Sequence, residues 1–148
     1  MKQADRCAQE VLDVVPSVMR FIRAQMRGRR ADLSVAQFRC LLYVARNDDA
    51  SLGAVAAHLG LTAPSTSKLV DVLERRALLA RGPSGADRRR LTLSLTSAGR
   101  RVLRQAMEKA KEQLAVRMQP LATSDLQTVM TSMAVLRRSF AATTGGPR

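Results

Sequence analysis

The chain has 148 residues, enough for one ordinary domain with a proper core. Apolar residues make up 46% of it, which excludes wholesale disorder, and with aromatics at 3% and no Trp the core must be aliphatic. Twenty-five Lys and Arg against twelve Asp and Glu give a net charge of +13, which implies an anionic partner, nucleic acid ahead of an anionic membrane surface.

No apolar run approaches the roughly 20 residues that a spanning helix needs. The opening MKQADRCAQE holds no apolar stretch of signal-peptide length. The expectation is a cytoplasmic protein with no membrane partner. Cys7 and Cys40 make no disulfide framework, and Cys40 is expected to be reduced and buried in a helix face. One histidine, His58, and no CxxC pair leave no metal site, and no cofactor is expected. No nucleophile elbow, phosphate loop or set of paired carboxylates is present, so no catalytic residue is assigned and an enzyme is not expected.

In chain order, residues 5–27 read as a helix with Val11, Val14, Val15, Val18, Phe21, Ile22 and Gln25–Met26 near one stripe. Pro16 inside it removes a hydrogen bond and clashes with the Leu12 carbonyl, which predicts a kink or a break. MRGRRAD follows as a basic loop. Ser34 with Gln37 forms a capping box, and Leu33 staples against Phe38. The stripe of this second helix is Phe38, Leu41, Leu42 and Ala45, and Asn47-Asp48-Asp49 stops it.

The next segment, SLGAVAAHLGLTAPSTSKLVDVLERRALL, carries most of the information. Ser51 caps a short helix with Leu52, Val55, Ala56 and Leu59 inward, and Gly60 suits the left-handed position after its end. Thr62 caps a longer helix with Pro64 in its first turn and Leu69, Val70 and Leu73 inward. Short helix, glycine turn and longer helix make a helix-turn-helix. Residues 91–95 alternate, with Leu91, Leu93 and Leu95 inward, and pair with a strand around Leu79–Arg81 through the turn GPSGADRR. A hairpin placed there is a wing. Thr96 caps a long helix to about Met118, carrying Val102, Leu103, Ala106, Ala110 and Leu114, and Pro120 ends it. Ser124 with Gln127 is a second capping box, opening a helix with Leu126, Val129, Met130, Met133, Leu136 and Phe140 on one side. The tail AATTGGPR reads as frayed.

The inward set of the longer helix leaves Ala63, Pro64, Ser65, Ser67 and Lys68 outward. Small residues let a backbone enter the major groove, about 12 Å wide, and hydroxyls bond base edges or phosphates. A helix N-terminus also favours phosphate oxygens. Thr62, Pro64, Ser65, Ser67, Lys68 and Arg75 are the candidates for this contact. Arg88, Arg89 and Arg90 at the foot of the hairpin, with Arg81 in the opposing strand, suit the negative potential of a narrow minor groove. Asp87, two residues before Arg89, suits a brace for an Arg fork.

DRRRLTLSLTSAG, from Asp87 to Gly99, resembles the wing signature of the multiple-antibiotic-resistance regulator (MarR) family. TAPSTSKLVDVLERR, from Thr62 to Arg76, resembles that family's recognition helix, and LSVAQFRCLLYVA, from Leu33 to Ala45, its second helix. The resemblance covers essentially the whole chain. Two positions depart from it: Ala77 stands where the family usually has Gly, and Thr66 where it often has an aliphatic residue, which would loosen packing beneath the recognition helix.

The fold expected is mainly α with a small β-hairpin wing. Residues 33–117 would form the winged helix-turn-helix, and 1–32 with 118–148 a helical dimerisation region, linked by the long helix from 97. The resemblance implies a homodimeric, sequence-specific repressor on a pseudo-palindromic double-stranded DNA operator. It also implies release by an effector, often a small aromatic acid. Arg20, Arg23, Arg27 and Arg39 are cations near the junction where an organic anion would bind. The rival readings are a peroxide sensor through Cys7, which has Arg6 beside it, and a non-specific nucleic-acid-binding protein.

Overall fold

The computed structural model describes residues 2–26, 33–85, 87 and 89–141. In order, the elements are α1 (Gln3–Met26), α2 (Val35–Arg46), α3 (Leu52–Leu59), α4 (Ala63–Arg75), β1 (Leu79–Pro83), β2 (Leu91–Leu95), α5 (Ser97–Met118) and α6 (Thr123–Ala141). The mainly helical class with one hairpin agrees with the sequence reading. The basic stretch 27–32 and the tail 142–148, expected as a loop and a frayed end, lie outside the described residues.

Side-chain oxygens open four of the helices. The Ser34–Gln37 capping box is complete: Gln37 N–H donates to Ser34 Oγ at 3.1 Å, and Ser34 N–H donates to Gln37 Oε1 at 3.0 Å. Ser51 accepts from Ala54 N–H at 3.1 Å, Thr62 from Ser65 N–H at 3.2 Å, and Thr96 from Gly99 N–H at 2.9 Å. The second expected box is not how α6 begins. That helix starts at Thr123, with Asp125 and Leu126 N–H both donating to the Ala122 carbonyl. Ser124 therefore lies inside the first turn, and its carbonyl accepts from the Thr128 hydroxyl at 2.9 Å.

α1 runs unbroken across Pro16. Leu12 and Pro16 are both exposed, so the carbonyl that loses its helical partner is not buried within the chain.

α3 and α4 stop in the same way. Gly60 has φ +67°, and Leu61 N–H reaches back to the Ala56 carbonyl at 3.0 Å. Ala77 has φ +57°, with its N–H on the Glu74 carbonyl at 2.8 Å and Leu78 N–H on the Leu73 carbonyl at 2.9 Å. This is a Schellman ending, kept although the residue is not glycine.

The chain divides into two compact units, Met1–Lys111 and Glu112–Arg148. The core lies in the first. Cys40, Leu41 and Val44 of α2 meet Val55 and Leu59 of α3, Val70 and Leu73 of α4, Leu79, Leu93 and Leu95 of the hairpin, and Leu103 and Ala106 of α5. Fully burying a Leu such as Leu41 or Leu73 contributes roughly 1.5–3 kcal/mol. The stripe of α2 is rotated slightly from expectation, with Val44 inside and Ala45 exposed. In the second unit α6 has no buried residue, and Met130, Met133 and Phe140 are exposed.

The hairpin is antiparallel, with Leu79 opposite Leu95, Arg81 opposite Leu93 and Pro83 opposite Leu91. Ala50 adds a bridge on the free side of β2, accepting from Leu93 N–H at 2.7 Å. Leu93 and Leu95 are buried as the alternation required, but Leu91 is 66% exposed. Its side of the strand is the core-facing one. The hairpin, however, extends past the edge of the core at that point, so nothing covers it.

Candidate nucleic-acid interface

The longer helix α4 is anchored by its buried residues Thr66, Val70 and Leu73. Thr66 is fully buried, and its hydroxyl donates to the Thr62 carbonyl at 2.9 Å. That hydrogen bond offsets the cost of burying the hydroxyl at this position. With that face fixed, Thr62, Pro64, Ser65, Lys68 and Arg75 are exposed and Ser67 is half-buried. The Thr62 hydroxyl also donates to Ser65 Oγ at 3.0 Å, which ties the first turn together. The exposed start of α4 is therefore small and polar, with a cation about one turn along it.

The wing is shaped by polar contacts with its own backbone. Asp87 Oδ1 accepts the backbone N–H of Arg89 at 2.9 Å, and the Asp87 carbonyl accepts Arg90 N–H at 3.1 Å. Among the described residues Asp87 thus shapes the turn that carries Arg89, through an Asx turn. The Arg90 carbonyl accepts Ser84 N–H at 2.8 Å, and the buried Ser84 hydroxyl donates to Asp49 Oδ1 at 3.1 Å. Arg89 and Arg90 are exposed, and Arg88 lies outside the described residues.

Arg81 is placed differently from the other wing cations. Its guanidinium bonds Asp71 Oδ1 at 2.6 Å and pairs with Glu74, both on α4. Asp71 and Glu74, within the LVDVLERR stretch, are thus partners of a strand residue, which local sequence does not reveal. The only signal was their i, i+3 spacing, which puts both on one side of the helix. A second tie was also missed: Arg76, just past α4, donates to Gln37 Oε1 at 3.2 Å and joins the capping box of α2.

Within the same unit α1, α2 and α3 enclose an open cleft of about 210 Å³. Met19, Ile22, Met26, Val35, Phe38 and Leu42 form its apolar wall, and Arg23, Arg39 and His58 its polar part. Arg39 donates to the His58 carbonyl at 3.3 Å, and the His58 ring stacks on Tyr43 with centroids 4.5 Å apart. Of the four arginines expected near such a site, Arg23 and Arg39 line it, Arg20 does not, and Arg27 is outside the described residues.

Cys7 is exposed on α1 and Cys40 is fully buried, where desolvation pushes its thiol up to about 11. No cluster of potential metal ligands occurs among the described residues, and none of their helices is long and apolar enough to cross a membrane.

A helix-turn-helix with a hairpin directly behind its longer helix defines a winged helix-turn-helix protein. Residues 31–90, which hold the helix-turn-helix and the first strand of the hairpin, match the MarR family. The helix-turn-helix-type transcriptional regulator YfiV of Bacillus subtilis (strain 168) is 24% identical over 111 residues, 75% of this chain and 69% of that regulator. Among solved structures, RV1404 from Mycobacterium tuberculosis superposes with a TM-score of 0.79 at 21% identity, over 95% of this chain and 96% of that one. CouR from Rhodococcus jostii RHA1, bound to p-coumaroyl-CoA, gives 0.64 at 20% identity, over 91% and 95%. At such identities the structural likeness is one of fold. The match to the MarR family of transcriptional regulators is thus carried by residues 31–90, and the solved structures extend the likeness of fold over the rest of the chain.

Proposed function

We propose that this protein is a sequence-specific repressor that binds a pseudo-palindromic operator as a homodimer and leaves it when a small organic anion binds. The observation that carries the DNA reading is the exposed, small and polar first turn of α4 beside a hairpin with exposed Arg89 and Arg90. In this reading Thr62, Pro64, Ser65 and Ser67 face the major groove, Lys68 and Arg75 meet phosphates, and Arg88, Arg89 and Arg90 enter the minor groove on a turn shaped by Asp87. Net charge alone would support only non-specific binding.

The dimer reading rests on α1 and α6. Leu12, Val14, Val15 and Val18 of α1, and Met130, Met133 and Phe140 of α6, are exposed apolar side chains on two long helices. Residues 1–32 and 118–148 would then form the dimerisation region, with 33–117 the DNA-binding module. The effector reading rests on the cleft, whose apolar wall and two arginines suit an amphipathic carboxylate. That CouR holds p-coumaroyl-CoA, an aromatic acyl group on an anionic carrier, supports an aromatic organic anion more broadly.

Competition between duplex DNA and structured RNA tests the first part. Selective retention of one duplex sequence is expected; equal binding of every nucleic acid would contradict it. A screen of aromatic acids and peroxides for release then tests the second. Release by peroxide alone, lost in Cys7→Ser, would replace the ligand by the exposed thiol of Cys7.

A further inference from the structure

We propose that Arg81 governs DNA binding as a positioning residue: it locks the wing to the recognition helix and does not touch DNA. The inference rests on the DNA-binding reading above and goes beyond it.

The geometry follows from the register. Arg81 stands opposite Leu93, a core residue, so its side chain leaves the hairpin on the core-facing side. There it meets Asp71 at 2.6 Å and also Glu74. The two carboxylates sit three residues apart on α4, and a planar guanidinium with donors on several edges spans both, which an ammonium on a flexible stem does not. Leu79 and Leu95 hold the base of the hairpin in the core, and Arg81 lies two residues further out. Beyond it the pair Pro83 and Leu91 is exposed. Arg81 is therefore the outermost tie recorded between α4 and the strands before the arm that carries Arg89. The angle of that arm sets the distance between the element proposed for the major groove and the one proposed for the minor groove.

The three side chains are 32%, 49% and 32% exposed. The Glu74 oxygen is buried, but the pair with Asp71 is open to water and adds little to folding stability, so the fold depends on it little. The effect of the two pairs is on orientation. A guanidinium already engaged by two carboxylates also has little left to offer a phosphate.

The test uses a duplex that the unaltered protein selects from randomised DNA, with affinity measured over a salt series. Three variants of the full chain are compared: Arg81→Met, Asp71→Asn with Glu74→Gln, and all three changes together, with thermal unfolding checked for each. Expected is about a tenfold loss for Arg81→Met with the salt slope unchanged, a loss in the same direction for the double variant, and no further loss in the triple, as for groups that act as one unit. The sign for the double variant decides the matter even if Arg81→Met unfolds. Removing two negative charges near DNA should tighten binding if Arg81 were a direct contact, and equal or tighter binding overturns the positioning role. A salt slope shallower by about one unit in Arg81→Met does so too, since it marks a lost phosphate contact. If the unaltered protein binds no duplex at all, the DNA reading fails and this role fails with it.

Discussion

Gly99, in the first turn of α5, lies against the carbonyl of Leu78: a Cβ on Gly99 would fall 2.0 Å from the Leu78 oxygen and 3.0 Å from its carbonyl carbon. The same carbonyl accepts Thr96 N–H at 3.2 Å, and the Thr96 hydroxyl donates to the Ala77 carbonyl at 2.6 Å. The end of α4 and the start of α5 are thus fastened backbone to backbone. A methyl group at 99 meets main chain that cannot swing aside. Gly99→Ala should cost roughly 1–3 kcal/mol, as overpacking does, read as a lower denaturant midpoint with an unchanged m-value. An unchanged midpoint would show that the two segments separate freely.

Ala77 carries the opposite opportunity. Its φ of +57° costs an alanine about 1–2 kcal/mol through its Cβ, while glycine loses somewhat more backbone entropy on folding. Ala77→Gly should therefore stabilise the protein by about 0.5–1 kcal/mol, visible as a higher midpoint. A destabilised variant would mean that Ala77 does not hold the left-handed conformation in solution.

Cys40 and Cys7 should separate in chemistry. Burial raises the Cys40 thiol from an ordinary 9.0 to about 11, so the folded state keeps its proton where the unfolded chain has lost it. The stabilisation is complete below pH 9 and is lost as pH rises from there to about 11. At neutral pH a thiol reagent should label Cys7 quickly and Cys40 only through unfolding. Equal labelling of both in the native protein would contradict this burial.

These cases show what local sequence can and cannot carry. Ser34, Ser51, Thr62 and Thr96 were legible as caps because a cap is decided within four residues, and Gly60 because only glycine takes a positive φ readily. The helix-turn-helix and wing followed from the two periodicities. Leu91 is exposed against the alternation because alternation tells which side a residue faces, not whether the core reaches that far. Ala77 hides a left-handed turn behind a residue that avoids it. Arg81 looked like one more wing cation, because its partners lie on another element and only the strand register brings them together.

The apolar side chains of α1 give a test of assembly. Val14 and Val18 are 54% and 40% exposed and four residues apart, on one side of the helix. Val14→Lys with Val18→Lys should lower the mass in sedimentation from dimer to monomer, with little effect on the core of the first unit, which contains neither residue. A full-length protein that is already monomeric at micromolar concentration would remove the dimer.

The central claim is that α4 and the wing read one DNA site together. Footprinting of the selected duplex with dimethyl sulfate, which reads guanine N7 in the major groove, and hydroxyl radical, which reads the sugars from the minor groove, tests it most directly with the unaltered protein and with Arg89→Ala. Expected are two protected major-groove segments centred about one helical turn, roughly 34 Å, apart, each flanked by minor-groove protection. Arg89→Ala should lose the flanking protection and about 1–3 kcal/mol of affinity while its unfolding temperature stays the same. Uniform protection along the duplex, or flanks that survive Arg89→Ala at full affinity, would contradict it.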